Sequence, residues 1–490
     1  MRIDTSQSAI NGVYPFTKPK EPNGNVLTVP KLADYDIHPI TGFLPSDPPP
    51  LRRLPEKFEP WETVLDELSD LLLAGKLRVT VARIPEIEAT SLTTHREWQR
   101  AYMVLSFIGQ AYVWGRNGEA TEVLPRNIAK PWYETAKYLG LRPVITYAAV
   151  ELYNWKALDP SGPLDLSNLA VMKTFTGPDE AWFYLISIAI EACGAPALPA
   201  IVASLEAVVS RDLYALIDNL KILVQITEDI SKVLVRMYEK NDPHIFYHRV
   251  RTYLAGWENT SELPKGLLFE GVTDPEEGDV VEIDLPKPNG VPKSPPSVTH
   301  PPRHVHGTYL KLAGASAGQS SLIHSLDVAL GVEHHPTRPT MPPSPLHPDP
   351  STHAPAKPIN HIHQMRKYMP GPHREFISAL ERAPSLRTFV YELVNTPGND
   401  PVQADEIGRL YNRCVENMRS FRDRHMQIVA AYIVLQAKKK KDVGQIDKRA
   451  AQASRVRESL QAQGTGGTDL IPFLKQSRNE TSEARVELEV

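Results

Sequence analysis

The chemistry this chain could do starts from one histidine. His425 falls on the apolar stripe Leu410, Tyr411, Cys414, Met418, Phe421, Ile428, Val429 and Tyr432. Those spacings of three and four put the stripe on one face of a helix running from about Asp405 to Leu435. His425 therefore faces inward, although Arg422, Asp423 and Arg424 beside it are charged. An inward imidazole has two readings: a core histidine with satisfied nitrogens, or a ligand reaching into a cavity from a rigid element. Periodicity leaves both open. Histidine is also dense from His300 to His373, with His-Val-His and His-Ile-His spacings. These residues lack Cys, Asp or Glu partners at fixed ligand spacing, so a solvated polar linker is the expected reading. Two runs of small residues could approach a flat ligand closely: GASAGQSS (314–321), ahead of a helical SLIHSLDVAL, and GTGGTD (464–469). By pattern alone they are a helix-capping loop and a linker or lid. No nucleophile elbow, HExxH, phosphate loop or dinucleotide fingerprint occurs, which leaves any hard chemistry to a cofactor other than a nucleotide.

The elements that must position these residues are mostly helical. Phe58, Trp61, Val64, Leu65, Leu68 and Leu72 repeat at helical spacing, as do Trp98, Tyr102, Leu105, Ile108 and Tyr112. A long stretch from about Leu198 to Lys240 is predicted helical with a break near Ser210-Arg211-Asp212. Phe246, Val250, Tyr253, Leu254 and Trp257 mark a further helix, and Leu77–Val81 reads as a short strand. The 45 prolines are unevenly placed. Residues 1–57 read as an extended surface arm, and 275–306 and 333–360 as exposed insertions, because proline removes a backbone donor and restricts the residue before it.

Length and composition suit two or three globular domains: 490 residues, 41% hydrophobic, 23% charged. A net charge of -4 supplies no basic field, so neither nucleic acid nor a membrane surface is an expected partner. Cys193 and Cys414 cannot form a disulfide framework, which favours a reducing, cytoplasmic setting. The start of the chain lacks a signal-type apolar core, and the longest apolar run, Ala181 to Ile190, is far short of the roughly 20 residues of a span.

Nine blocks in order resemble the indoleamine 2,3-dioxygenase family: AYVWG (111–115), LPRNIA (124–129), WFYLISI (182–188), FYHRVRTYLAGW (246–257), GLLFEGV (266–272), GASAGQSS (314–321), YMPGPHREF (368–376), FRDRHMQIVAAYIV (421–434) and GTGGTDL (464–470). The resemblance spans about residues 50–475, and the long Pro-rich insertions are similar to those of fungal members. It implies a mainly α fold: a smaller N-terminal α/β domain (58–175), a large all-helical haem-binding domain (176–475) and a C-terminal tail (476–490). It also implies a monomer that inserts both atoms of O2 across the indole C2–C3 bond of L-tryptophan. The product would be N-formylkynurenine, opening the kynurenine pathway towards NAD. Haem b, ferrous when active, and an electron donor for the ferric state come with that reading.

Site residues follow from the resemblance position by position. His425, in RHMQIV, matches the iron ligand. Arg422 matches a basic residue near the haem propionates, and Asp327 its acidic partner. Phe183 and Ser187 match the distal helix over the iron, and Tyr147 the indole pocket wall. Phe246 and Arg251 match the aromatic wall and the substrate-carboxylate clamp. Ala315, Ser316 and Ala317 match a loop edging both haem and substrate, and Thr465 a loop closing over the amino acid. Ser187, Phe246 and Arg251 thereby take the catalytic positions. Each match is chemically sound: imidazole ligates haem iron, and arginine grips a carboxylate with two prongs. Ser187 is too weak a base to deprotonate indole, so catalysis would rest on orientation and exclusion of water. Two departures stand out: Ala315 replaces a glycine of the family pattern, and Tyr184 a phenylalanine. Two other functions compete. A non-catalytic haem protein that binds or senses oxygen would keep His425 and lose the clamp. A helical scaffold would bind no haem and dock partners through its Pro-rich segments.

Overall fold

Apolar residues at helical spacing wind most of the chain into helices, as the computed structural model shows for residues 28–116, 120–285, 303–336, 360–396, 400–438 and 470–488. The longer ones are α1 (His95–Trp114), α2 (Arg126–Leu139), α3 (Pro178–Gly194), α4 (Ala197–Ser210), α5 (Leu213–Val235), α6 (Ser321–Ala329), α7 (Gly371–Glu381), α8 (Leu386–Asn395), α9 (Pro401–Val429) and α10 (Leu470–Glu483). Several of them start on a side-chain cap. Thr94 and Glu97 form a capping box on α1, and Asp400 accepts from the Val402 and Gln403 amides at the head of α9. The predicted break at 210–212 is real: Arg211 closes α4 in the left-handed region, and Asp212 caps α5 through the Ala215 amide. The α3–α4 stretch Pro178–Ser210 is long and apolar enough to cross a membrane, yet 61% of its most apolar window is buried within the protein.

Six short strands complete the fold: β1 (Val123–Leu124), β2 (Trp155–Ala157), β3 (Leu169–Val171), β4 (Leu267–Glu270), β5 (Asp279–Leu285) and β6 (Arg303–Leu310). β2 and β3 pair with each other, and the remaining four form a sheet in the order β1-β4-β6-β5. β1 runs parallel to β4, with Val123 beside Leu268, and the other pairs are antiparallel. The mainly helical class holds, but most strands of this sheet come from residues 267–310 rather than from the N-terminal part.

Several local expectations change. The residues of the supposed arm from 28 onward are docked: Tyr35, Ile37, Phe43, Leu44 and Leu54 are buried, and the Phe43 ring packs on His373 and Phe376. Apolar residues between the prolines supply a docking face that proline spacing alone conceals. Leu77–Val81 is a short helix, because Leu77 and Val81, four apart, are both buried while Val79 is exposed. The 275–306 stretch is flanked by paired strands, with Val281 opposite Gly307, rather than being wholly an insertion. The centres of both Pro-rich stretches, 286–302 and 337–359, lie outside the described residues. Of the predicted tail, the described residues 476–488 are no tail. They continue α10, whose Ser477, Glu480 and Thr481 are buried against α9, and Val486 is buried beyond it. The His-rich region is not a solvated linker throughout either, since His324 and His373 are buried and the His334 side chain is only 4% exposed.

Candidate active site

Five elements converge on one cavity. α9 presents His425, Arg422 and Phe421, at spacings that share a face. α3 contributes Phe183, Ser187 and Ile190 in the same way. Phe246 and Arg251 are five residues apart, which on an α-helix would turn them well away from each other. The backbone from Phe246 to Val250 is instead a π-helical turn, whose i→i+5 bonding makes five residues about one turn. Both side chains thereby reach the cavity. A second π-helical turn, Ala148–Leu152, follows Tyr147 and carries Glu151 to the same space.

The fifth element is the small-residue loop, which is firmly built rather than flexible. A Cβ on Gly314 would stand 2.0 Å from the Leu254 carbonyl oxygen, and one on Gly256 would stand 2.2 Å from that of Leu312. Glycine at both positions lets the two segments touch backbone to backbone. Gln319 then ties the loop, accepting from the Tyr147 amide (2.9 Å) and donating to the Gly314 carbonyl (2.8 Å). Ser320 caps α6 and donates to Glu191 at 2.7 Å. Ala315, Ser316 and Ala317 are held at the cavity edge.

The structure thus brings together Tyr147, Phe183, Ser187, Phe246, Arg251, Ala315, Ser316, Ala317, Arg422 and His425. Asp327 stands behind Arg422, which grips both of its oxygens at 2.7 and 2.6 Å. Thr465 lies outside the described residues. The rings of Phe183 and Phe246 are 4.8 Å apart, and Tyr432 packs edge-on to Phe246 at 5.7 Å. Arg251 is buried, and burial lowers its pKa to about 10. Its guanidinium lies 5.6 Å from the Tyr247 ring centroid and remains a cation near neutral pH.

The electrostatics differ at the two ends. At one, Arg422 and Asp327 extend into a chain of buried charge. His334 bonds Asp327 at 3.2 Å and Glu480 at 2.7 Å. Burial alone would lower the His334 pKa, but its two carboxylate partners push it up to about 9. Burial likewise opposes the Asp327 charge, and Arg422 with His334 outweighs it, holding the carboxyl well below the usual range. At the other end, Glu191 takes hydrogen bonds from Tyr147 and Ser320, yet burial pushes its pKa up to about 7. Burial and the nearby Glu191 drive Glu151 well above the ordinary carboxyl range.

The donor set suits a haem. The His425 imidazole makes no hydrogen bond among the described residues, and burial with Arg422 nearby lowers its pKa to about 4, so it is neutral and able to ligate. Arg422 has a buried Nη1 without a partner, a donor available to a propionate. Sequence reasoning missed Glu151, Glu191, His334, Glu480 and His361, a second imidazole on the cavity wall beside Phe473. The signal for the two glutamates was present, as each is a carboxylate inside an apolar run, at helical spacing from Tyr147 and Ser187. His334 and Glu480 carry no such local signal.

The indoleamine 2,3-dioxygenase family model matches residues 31–484. Indoleamine 2,3-dioxygenase 1 of Mus musculus is 34% identical over 92% of this chain and 95% of its own length. The indoleamine 2,3-dioxygenase of Saccharomyces cerevisiae is 34% identical over 92% of this chain and 93% of its own. One from Aspergillus nanangensis is 32% identical over 92% and 97%. The chain belongs to the indoleamine 2,3-dioxygenase family, oxidoreductases that depend on haem.

Proposed function

We propose that this family member holds haem b through His425 and opens the indole ring of L-tryptophan. Both atoms of O2 enter across C2–C3, giving N-formylkynurenine and starting the kynurenine route towards NAD. The observation that carries the reading is one cavity walled by an imidazole with no hydrogen bond among the described residues, an aromatic pair and a buried guanidinium. When bound, the haem supplies a ferrous iron able to activate dioxygen, kept reduced by an external electron donor.

The chain's own residues do the positioning. The neutral His425 ligates from a helix that cannot shift easily, being packed along α5 and α10. Arg422 directs Nη1 to a propionate while Asp327 and Ser477 fix its other nitrogens. Arg251 takes the amino-acid carboxylate with two parallel N–H bonds. Phe183 and Phe246, in contact with each other, form one aromatic wall against the indole, and Ser187 is too weak a base to remove the indole proton. The aromatic and aliphatic wall keeps water from the reacting carbons.

Reduced, haem-loaded protein given L-tryptophan in air should release N-formylkynurenine, followed by its absorbance and mass. No product at millimolar tryptophan would sink the reading, and an oxy complex indifferent to tryptophan would mark an oxygen-binding protein instead. His425→Ala should lose the Soret band while His361→Ala keeps it. The reverse result would move the ligand to His361.

A further inference from the structure

We propose that His334 is a positioning residue for the haem: by engaging Asp327 it stops Arg422 from closing on that carboxylate and leaves Nη1 free for a propionate. The proposal rests on the haem site proposed above. Arg422 has three nitrogens, and two are committed. Nε donates to the Ser477 hydroxyl at 3.1 Å, and Nη2 reaches both Asp327 oxygens at 2.7 and 2.6 Å. Nη1 is buried and has no partner among the described residues. An arginine and a carboxylate left to themselves commonly meet fork to fork, two nitrogens on two oxygens. Here one nitrogen serves both oxygens, and the second prong is withheld.

His334 accounts for the difference. Its Nε2 lies 3.2 Å from Asp327 Oδ2, and its Nδ1 lies 2.7 Å from Glu480 Oε2. Both ring nitrogens face carboxylate oxygens, so both carry hydrogen and the ring is a cation. Asp327 thus stands between two cations, and its carboxylate has no other partner among the described residues. Glu480 does not depend on His334 alone, since the His335 amide and the Gln476 side chain also donate to it, at 2.9 and 2.7 Å. Without His334, Asp327 would have only Arg422 left to bond, and a two-pronged grip would take up Nη1. Charge points the same way. Arg422, Asp327, His334 and Glu480 alternate in sign and sum to zero, so a propionate leaves the cluster one net negative charge. A neutral side chain at 334 would leave it two, a costly excess in the interior.

The test reads how fast ferric haem passes from the loaded protein to excess apomyoglobin, followed in the Soret region. Wild type is compared with His334→Gln, Glu480→Gln and the double variant His334→Gln/Asp327→Asn. Haem loss should quicken about 10-fold in His334→Gln, the effect usual for a residue that orients a ligand's partner. The double variant restores the wild-type net charge and removes the carboxylate that would capture Nη1, so its rate should fall back to that of wild type. Glu480→Gln keeps the bond from His334 to Asp327 and removes a negative charge, so haem should leave no faster than from wild type. An unchanged rate in His334→Gln, or no recovery in the double variant, overturns the proposal. So does faster loss from Glu480→Gln, which would mark His334 as only a brace for α10. That arm decides even if His334→Gln does not fold. A wild type that takes up no haem, or a His425→Ala variant that keeps it, overturns the haem site itself.

Discussion

The two polar ends of the cavity are built from the same residue types and behave in opposite ways. Around Arg422, two carboxylates, a guanidinium and an imidazolium alternate in sign, and each is tied by hydrogen bonds of 2.6–3.2 Å. Around Glu151, two carboxyls sit near each other with no cation among their described partners. Burial is nearly equal at both ends, with Asp327 at 3% and Glu151 at 3% exposed. Neighbours, then, and not depth, decide whether a buried carboxyl is ionised. The charged end can hold a fixed anion such as a propionate, and the neutral end can hold an uncharged hydrogen-bonding group.

Removing the hub of the charged end should have the largest effect. Asp327→Ala strands Arg422 and His334 in the interior, and a loss of about 3–5 kcal/mol in urea unfolding is expected. A loss below 1 kcal/mol would mean this end is no more strongly coupled than the other. His334→Gln should cost about 2 kcal/mol at pH 6, where the charged histidine is fully paired with Asp327 and Glu480.

The pH dependence separates the ends further. His334 is raised in the folded state, so its contribution is full below about 6.5, its unfolded pKa, and is lost as pH rises through about 9. Glu480 is lowered by His334 and the His335 amide against the opposing effect of burial, so its contribution is lost in acid instead. Glu191 is raised to about 7, so the folded state pays for its ionisation as pH climbs from the unfolded value near 4.3 to 7. Thermal unfolding of the wild type should therefore weaken in two windows. Glu191→Gln should make the lower slope shallower, since the raised Glu151 shares it, and His334→Gln should remove the upper one. If either variant flattened both, the two ends would be one coupled system. The smallest expected effect is at Glu151, where Leu removes an unpaired carboxyl and should raise stability by about 1 kcal/mol. A decrease would show that Glu151 has a structural partner.

Much of the site was legible in the residues. The stripe around His425, the break at Arg211 and the small-residue loop ahead of α6 all follow from local spacing and capping, and each lies where spacing put it. Other elements resisted because their cause was not local. Leu77–Val81 has strand-type residues but is helical through the burial of its first and last side chains. β5 looks like insertion until β6, which begins 18 residues beyond its end, pairs with it. α10 reads as a tail because the partners that bury Ser477 and Glu480 lie on α9 and beside α6.

From the sequence alone came the helical character, the inward direction of His425 and membership of a haem-dependent family. Those are properties of neighbours along the chain, set by periodicity of about 3.6 residues and by the order of short motifs. The resemblance already paired Arg422 with Asp327, and only the tertiary structure joined His334 to Glu480 across 146 positions and Ser320 to Glu191 across 129. It also showed the π-helical turn that brings Phe246 and Arg251 to one wall. Whether a buried acid is a charge or a neutral donor depends on what folding sets beside it, and no local pattern records that.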